Sequence, residues 1–352
     1  MHVFSTSNPD LSSAAQELKK TLPAAPSFIL YFHSVAFAAD QVAELISQAY
    51  PGVPSLGCST AGELVTGKML DGHLVVAAFS ADLVAGAKVL PIVGSDVQGA
   101  LHALTGPQGD PDLATHIGLI LMDGLSGQEE AIMDSLGSAT NLTFVGGSAG
   151  DDLQFTKTFV AANGQITQGS GALALLQVPA GFDLIKTQSF CTTGKTLTPS
   201  KVDQATRAVL EFDGKPAIAA YAEALGVPSD ATLSSNFITH PLGLMAGDEP
   251  YVRSPQRTED GRLHFYCAVN EGVELAVLKG TDIIADTAQA IDHSKHRALI
   301  AFNCILRTLD LKNQGKTDSF GKLFTQPTIG FSTYGEAYIG HINQTATILA
   351  LH

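Results

Sequence analysis

The chain has 352 residues, of which 45% are hydrophobic and 15% are charged. This length suggests about two domains, this composition excludes a disordered chain, and four cysteines are too few for a disulfide scaffold. The net charge of −14 argues against nucleic acid and anionic lipid as partners, because both are bound mainly through Lys and Arg.

The N-terminus and the apolar runs bear on cellular location. Residues 1–8 lack the basic start and the long apolar run of a signal peptide. The longest apolar runs, such as 74–79 and 117–122, are far shorter than the about 20 residues that a membrane-spanning helix needs. We therefore expect a cytoplasmic protein without membrane insertion.

In chain order, short apolar runs alternate with amphipathic stretches, which is typical of an α/β protein. Strands outnumber helices, so mixed or antiparallel sheets are favoured over a purely parallel sheet. A tight-turn signal, Asp213-Gly214, precedes a helix that Pro216 opens and Gly226 ends. The predicted strands are 26–32, 53–58, 74–79, 117–122, 142–145, 172–178, 208–212, 236–239 and 298–305, and the predicted helices are 39–50, 127–136, 216–225 and 282–296.

The segment 191–207 is turn-rich and weakly apolar, which is typical of a boundary between domains. We predict one domain at 1–200 and a second at 201–352.

An internal repeat links the two ends of the chain. PSLGCSTAGE at 54–63 matches PTIGFSTYGE at 327–336, with six of the ten positions identical, and VGGSAGD at 145–151 is a shorter echo. Each copy follows a strand-like run and supplies glycines, small hydroxyls and then an acid. Any single copy is explained most simply as a structural corner, whereas three copies together favour loops that line a shared cleft.

Two local motifs have simpler explanations than catalysis. Gly146-Gly147-Ser148-Ala149-Gly150 matches the G-x-S-x-G pattern of hydrolases, but a turn and a strand, not a helix, are predicted after it. The third copy of the repeat loop explains this motif better. Ser126 and Glu129 have the spacing of a capping box at the start of the helix 127–136. No nucleophile–base pair stands out, and we expect a protein that is not an enzyme.

The chain resembles the FIST family over nearly its whole length. The resemblance rests on GCSTAGE at 57–63, VGGSAGD at 145–151, DGKPA at 213–217 with Tyr221, HPLGL at 240–244, FNCILR at 302–307, GFSTYGE at 330–336 and NQTAT at 343–347. It implies an intracellular sensory module that binds a ligand and takes part in signal transduction. The chain is similar to the NosP type of FIST protein, which has no attached signalling domain. This similarity implies haem b as cofactor, nitric oxide as ligand and regulation of a sensor histidine kinase in trans.

Haem needs an axial ligand, an apolar slot and cations for its propionates. His240 is the leading candidate for the haem iron, with Leu244 and Met245 as apolar wall. The guanidinium groups that match propionates are those of Arg253, Arg262 and Arg307. The alternative for His240 is an ordinary half-buried histidine. Weaker candidates are His33, His73 and His341, and the pair His293 and His296 is explained more simply by a solvated helix face.

A second hypothesis places an amino acid or similar small polar metabolite at the repeat loops. Two acids occupy equivalent repeat positions, Glu63 and Glu336, and suit either an ammonium group or the loop amides. Polar contacts around such a ligand would come from Ser59, Thr60, Ser332, Thr333 and Tyr334.

The sequence thus predicts an α/β protein with mixed or antiparallel sheets and helices outside. It predicts two related halves packed together in a pseudo-twofold duplication. The predicted function is ligand sensing, with haem or a polar metabolite as the ligand and a histidine kinase or other signalling protein as the partner.

Overall fold

A computed structural model describes residues 1–167 and 171–352. The chain divides into two compact units. Unit 1 comprises Met1–Thr187, Thr287–His341 and Ala346–His352, and unit 2 comprises Gln188–Asp286 and Ile342–Thr345. Unit 1 is therefore built from both ends of the chain, and most of unit 2 is inserted between them.

The helices lie in unit 1 except for α5 and part of α6. They are α1 (Leu11–Thr21), α2 (Ala39–Ala49), α3 (Val97–Thr105), α4 (Glu129–Ala139), α5 (Ala217–Leu225), α6 (Ile283–Ala290), α7 (Ile305–Asn313) and α8 (Thr317–Gly321).

The strands are short and follow one another closely. The first group comprises β1 (His2–Thr6), β2 (Phe28–His33), β3 (Ser55–Ser59), β4 (Glu63–Val65), β5 (Lys68–Leu70), β6 (Leu74–Phe79), β7 (Gly86–Pro91), β8 (His116–Met122), β9 (Phe144–Ser148), β10 (Val160–Ala162), β11 (Gln165–Thr167), β12 (Gly171–Gln177) and β13 (Phe182–Gln188). The middle group comprises β14 (Phe190–Leu197), β15 (Pro199–Asp203), β16 (Ala208–Phe212), β17 (Lys215–Pro216), β18 (Leu242–Ala246), β19 (Glu249–Arg253), β20 (Pro255–Glu259), β21 (Arg262–Phe265) and β22 (Leu275–Gly280). The last group comprises β23 (Ala298–Cys304), β24 (Thr328–Thr333), β25 (Glu336–Tyr338), β26 (His341–Ile342) and β27 (Thr345–Leu351).

The strands of unit 1 repeat one arrangement three times within the described residues. In each copy, two parallel strands are connected by a helical segment and followed by a hairpin and then by a strand antiparallel to the first. The copies are β2–β3 with β6, β8–β9 with β12, and β23–β24 with β27. The sheets have the orders β1-β6-β2-β3-β10-β11, β26-β25-β9-β8-β12-β7 and β13-β27-β23-β24-β4-β5. The expected relation between repeat loops thus extends to the structure around all three.

Each hairpin leaves its own copy and extends the sheet of another. Strand β4 pairs with β24, β10 pairs with β3, and β25 pairs with β9. The copies therefore share their sheets, and Thr287–His341 and Ala346–His352 are integral to unit 1. This division differs from the domains 1–200 and 201–352, because β23, β24 and β27 form one sheet with β4, β5 and β13.

The inner strands of unit 1 are buried on both faces, which explains their continuous apolar runs. All six residues of β2 are buried, and one apolar cluster joins the three sheets. The ring of Phe331 lies 4.5 Å from that of Phe32 and 5.8 Å from that of Phe302, measured between centroids. Helices α1 and α2 cover the outer face of the first sheet, as Leu18 and Val42 show. The expected α/β class with outer helices is confirmed.

Unit 2 contains the sheets β14-β22-β18-β19 and β15-β16-β21-β20, with β17 paired to β16. The expected turn at Asp213-Gly214 is present, since both residues have a positive φ (51° and 73°). Gly226, at φ 72°, ends α5 as expected. The predicted boundary segment, by contrast, is largely β14 and β15, and the predicted strand 236–239 is a turn that follows a 3-10 helix.

Two helix predictions need correction. The helix predicted at 282–296 ends at Ala290, because the Asp292 carboxylate accepts the backbone N–H of Ser294 and holds a turn there. The helix predicted at 127–136 begins at Glu129, and Gln128 rather than Ser126 is its N-cap. The Ser126 hydroxyl accepts the N–H of Gln128 instead (3.3 Å).

Candidate ligand site at the repeat loops

The three repeat loops lie at the carboxyl ends of the inner parallel strands β3, β9 and β24. We number them loop 1 (59–63), loop 2 (148–152) and loop 3 (332–336). Their backbones are hydrogen-bonded to one another, so the loops meet at one junction in unit 1. The bonds that join each pair are Ala61 N to Ser332 O (3.2 Å), Gly150 N to Ser59 O (3.0 Å) and Tyr334 N to Ser148 O (3.1 Å).

Most of the predicted hydroxyl ligands stabilise this junction itself. Ser59 is fully buried, and its hydroxyl donates to Gly150 O (2.7 Å) and accepts Phe159 N–H (2.9 Å). The Thr333 hydroxyl lies 2.9 Å from Ser148 O. The Ser332 hydroxyl lies 2.8 Å from that of Thr308. Because their polar atoms are used within the fold, these side chains form structural corners, the simpler of the two expectations for a single copy.

Glu63 differs from these residues because its side chain is ionisable and 1% exposed. The Thr60 hydroxyl donates to its Oε1 (2.5 Å), and His73 N–H donates to its Oε2 (3.0 Å). Burial raises the pKa of Glu63 to about 8, reinforced by the charges of Asp152 and Asp71 and opposed by the two hydrogen bonds. The carboxyl group is therefore largely protonated at neutral pH.

The acidic positions of the repeat are equivalent in the sheets. Glu63 lies opposite Phe331 in the ladder, Glu336 lies opposite Gly147, and Val160 lies opposite Cys58. Glu336 is fully buried, like Glu63. The third position is apolar, so the acids are a feature of two copies.

Tyr334 is the predicted ligand residue that is partly exposed. Its hydroxyl donates to Asp151 Oδ1 (2.5 Å) and accepts the N–H of Leu153 (2.9 Å), which ties loop 3 to loop 2. Burial, followed by the hydrogen bond to Asp151, raises the pKa of Tyr334. Its ring stacks on that of Phe155, with 5.1 Å between centroids. Leu153 and Phe155 expose their apolar side chains beside it.

Sequence reasoning did not connect three further residues with Glu63. Asp71 and His73 lie in the turn before β6, and Asp152 is the last residue of loop 2. The Asp152 carboxylate accepts the hydroxyl of Ser34 (2.6 Å), which follows β2. The carboxyl ends of neighbouring parallel strands lie at one edge of a sheet, and this rule would place residues after β2 near the repeat loops. No spacing in the sequence relates residues 71–73 to this edge.

Comparison with known proteins assigns most of the chain. Residues 27–215 match the FIST N domain, and residues 217–338 match the FIST C domain. The chain belongs to the FIST family. Domains of this family are sensory domains of signal transduction. The two matched segments adjoin at 215–217, whereas the compact units part at 187–188 and 286–287.

A curated relative gives no information on activity. The FIST chain is 28% identical to the uncharacterized protein MJ1623 of Methanocaldococcus jannaschii over 193 residues, which is 51% of this chain and 37% of MJ1623. Within the residues that the structure covers, no helix combines the length and apolar composition needed to cross a membrane.

The residues predicted to hold haem in this FIST protein do not form one slot. Leu244 and Met245 are neighbours on β18, so their side chains point to opposite faces of the sheet. Met245 packs with Val252 and Leu278, whereas Leu244 shares the face of Leu242, which belongs to the main apolar cluster of unit 2. The expected apolar wall is therefore wrong in its pairing of these two residues.

The three predicted arginines have separate surroundings. Arg253 donates to Val252 O (3.2 Å), and Arg262 forms an ion pair with Asp203 (3.2 Å) in unit 2. Arg307 lies in unit 1 and is 1% exposed.

Arg307 is held by buried polar groups of unit 1. Its guanidinium donates to Asn303 Oδ1 (3.1 Å), Thr287 Oγ1 (2.9 Å) and Thr187 Oγ1 (3.3 Å), and it lies over the ring of Phe320. These contacts satisfy a buried cation, so they oppose the predicted role for Arg307 at a haem propionate.

The predicted iron ligand, His240, lies in unit 2. Burial lowers the pKa of its half-buried imidazole, and the charge of Lys279 lowers it further. The Thr239 hydroxyl lies 3.0 Å from Nδ1, an interaction that orients the ring. The backbone carbonyl of His240 accepts a hydrogen bond from the hydroxyl of Tyr221 (2.6 Å).

Proposed function

We propose that this FIST protein is a sensory module that binds a small ligand bearing an ammonium group, such as an amino acid, at the loop junction. The carrying observation is the buried carboxyl group of Glu63, whose charged form is disfavoured by burial and by Asp152 and Asp71. An ammonium group brought to this position would stabilise the charged carboxylate and offset the repulsion between the acids. The ligand class follows from that charge balance.

The hydrogen bonds between loops supply a route for the signal. A ligand at Glu63 would contact loop 1. This loop is hydrogen-bonded to loop 2 through Ser59 and to loop 3 through Ala61. Loop 2 is followed by the exposed side chains of Leu153 and Phe155. We propose that the protein acts in the cytoplasm without catalysis and that a separate signalling protein, such as a sensor histidine kinase, detects the change.

The proposal predicts a ligand-dependent gain in stability that needs Glu63. Amino acids and simple amines should be screened for a rise in the thermal unfolding midpoint of the full chain. A ligand at about 100 times its Kd stabilises the folded protein by about 2.7 kcal/mol, which corresponds to several degrees. Glu63→Gln should abolish the shift, because the amide cannot supply the negative charge.

Glu44→Gln is the matched control, since it removes a carboxylate from the exposed face of α2. The control should retain the shift. Equal shifts in the parent and in Glu63→Gln would refute this binding site, and the absence of a shift with every amino acid and amine would refute the ligand class.

His240 favours a second candidate function, haem b binding with nitric oxide as the gas ligand. Burial lowers the pKa of the imidazole, which favours its neutral form, and the contact of Thr239 with Nδ1 leaves Nε2 as the atom suited to iron. Because Leu244 with Met245 and the buried Arg307 do not supply the slot, other side chains would have to form it.

The visible absorption spectrum tests this candidate. Protein produced with ample haem should show a stoichiometric Soret band that shifts with nitric oxide and is lost in His240→Ala. The exposed His102 on α3 provides the control, His102→Ala, which should leave the band unchanged. A band that persists in His240→Ala excludes this ligand, and protein without stoichiometric haem excludes the function.

A further inference from the structure

A cluster of two histidines and one aspartate lies at one end of a sheet in unit 1, away from the repeat loops. Asp183 is on β13, His296 precedes β23, and His352 follows β27. These strands are neighbours in the order β13-β27-β23, and β27 runs antiparallel to β23. The end of β27 therefore lies beside the start of β23, which brings residues from three distant parts of the chain together.

The nitrogen and oxygen atoms of the cluster converge on a small volume. Asp183 Oδ2 lies 3.0 Å from His296 Nε2 and 3.1 Å from His352 Nε2. The ligand atoms of all three side chains lie within 4.8 Å of one another. The imidazole rings are stacked, with centroids 5.7 Å apart and planes 15° apart.

The contacts of the two rings are incomplete as hydrogen bonds. His352 Nε2 is buried and lacks hydrogen-bond geometry with any partner in the described residues, although the aspartate oxygen is 3.1 Å away. The His296 side chain is 2% exposed, and its Nδ1 has no partner in the same residues. Each ring thus has one buried nitrogen without a hydrogen bond among the described residues, which is costly, and a cation between the nitrogens and the carboxylate would use the His352 atom.

Backbone hydrogen bonds hold the chain in place around the cluster. His352 N–H donates to Gly181 O (3.2 Å), and Arg297 N–H donates to Leu351 O (2.8 Å). Gly181 has a φ of +85°, which a side chain rarely tolerates, in the turn just before Asp183. The cluster therefore lies on anchored strand ends.

We propose that Asp183, His296 and His352 bind a divalent transition-metal ion of the zinc class. Two imidazole nitrogens and one carboxylate oxygen are a ligand set that suits Zn²⁺ and neighbouring first-row ions. The Asp183 side chain is 48% exposed and that of His352 is 33% exposed, so water reaches the cluster and can complete the coordination. A bound ion would link three adjacent strands of one sheet, including β13, from which the chain continues into unit 2.

Zinc titration of the metal-free full chain tests the site, with any polyhistidine tag removed. The parent should bind one Zn²⁺ that Asp183→Asn and His352→Ala bind roughly tenfold or more weakly, because loss of an outer-sphere partner alone costs about 10–100-fold. His102→Ala is the control for general loss of a surface histidine, and it should bind like the parent. His352→Ala is preferred to a change at His296, because the His296 side chain is buried and its removal would leave a cavity.

Circular dichroism of each variant without zinc checks that the fold is intact, and the thermal midpoint gives a second readout. Zinc should raise the midpoint of the parent and of His102→Ala but not those of the two cluster variants. The proposal is overturned if the parent binds no zinc, or if the folded cluster variants bind zinc as tightly as the parent.

Discussion

Gly146→Ala is expected to destabilise unit 1 by about 3 kcal/mol or more, because the new methyl group has no space. A Cβ atom at this position would lie 1.8 Å from the carbonyl oxygen of Ile120 and 2.8 Å from its carbonyl carbon. Both are backbone atoms of β8, the strand paired in parallel with β9, so relief requires the central strands to separate. Urea denaturation followed by circular dichroism should show a markedly lower midpoint.

Gly137→Ala is the matched control, since it adds the same methyl group where the structure has room. Among the described residues, no heavy atom beyond its chain neighbours and its own helix backbone lies within 4 Å of the Cβ position of Gly137, which is in the exposed part of α4. Alanine favours a helix over glycine by about 1 kcal/mol, so this variant should unfold at a slightly higher urea concentration. Equal midpoints for Gly146→Ala and the parent would contradict the close approach of β8 and β9.

The same close approach explains why glycine recurs in the repeat. A Cβ at Gly330 would lie 2.2 Å from Ala301 O, again across a parallel pair. At Gly57 it would lie 2.4 Å from the ring of Tyr31. The glycine two residues before each repeat serine is therefore required by the packing of the inner strands. The repeat in the sequence reflects the interior of the fold as well as a surface loop.

The sequence was sufficient for features that depend on neighbouring residues. The α/β class, the buried strands β2 and β8, and the turn at Asp213 followed from apolar runs and turn residues. The repeat showed that several loops are equivalent. It did not show that the hairpins exchange between copies, because the pairing of β4 with β24 joins residues about 260 positions apart and is decided by packing.

Side-chain roles were predicted less well where they depend on the face of a strand or on distant partners. Leu244 and Met245 were placed in one wall because β18 was not foreseen; its alternation separates them. The sequence suggests a haem propionate as the partner of Arg307, but its guanidinium donates to Asn303, Thr187 and Thr287. His296 was placed on a helix with His293, whereas its partner Asp183 is 113 positions away.

The buried acid of loop 1 makes the stability of unit 1 depend on pH. Glu63 has an ordinary pKa of 4.5 when unfolded and about 8 when folded. Between these values the folded state binds more protons than the unfolded state, so the free energy of unfolding falls as pH rises. The contribution is complete below pH 4.5 and is lost by the time the pH has passed 8, a change of about 5 kcal/mol at most.

His33 opposes this trend over part of the range. Burial lowers the pKa of its imidazole from 6.5 to about 4, although its hydrogen bond with Ser34 O acts against the shift. His33 therefore contributes stability that is present above pH 6.5 and lost as pH falls through 4. The effects of the two groups can be separated between pH 6.5 and 8. In this range Glu63, but not His33, is protonated to a different extent in the folded and unfolded states.

Glu63→Gln should remove the loss of stability between pH 6.5 and 8, since the amide does not titrate and keeps the shape of the side chain. Urea midpoints of the parent, of Glu63→Gln and of the control Glu44→Gln should be measured at half-unit intervals from pH 5 to 9. The parent and the control should lose stability together as pH rises, whereas Glu63→Gln should vary less and be the most stable variant above pH 8. Parallel curves for the parent and Glu63→Gln would mean that the folded carboxyl group is already ionised at neutral pH. The hydrogen bonds to Glu63 would then be sufficient to offset the cost of burying its charge, and the electrostatic argument for an ammonium ligand would fail.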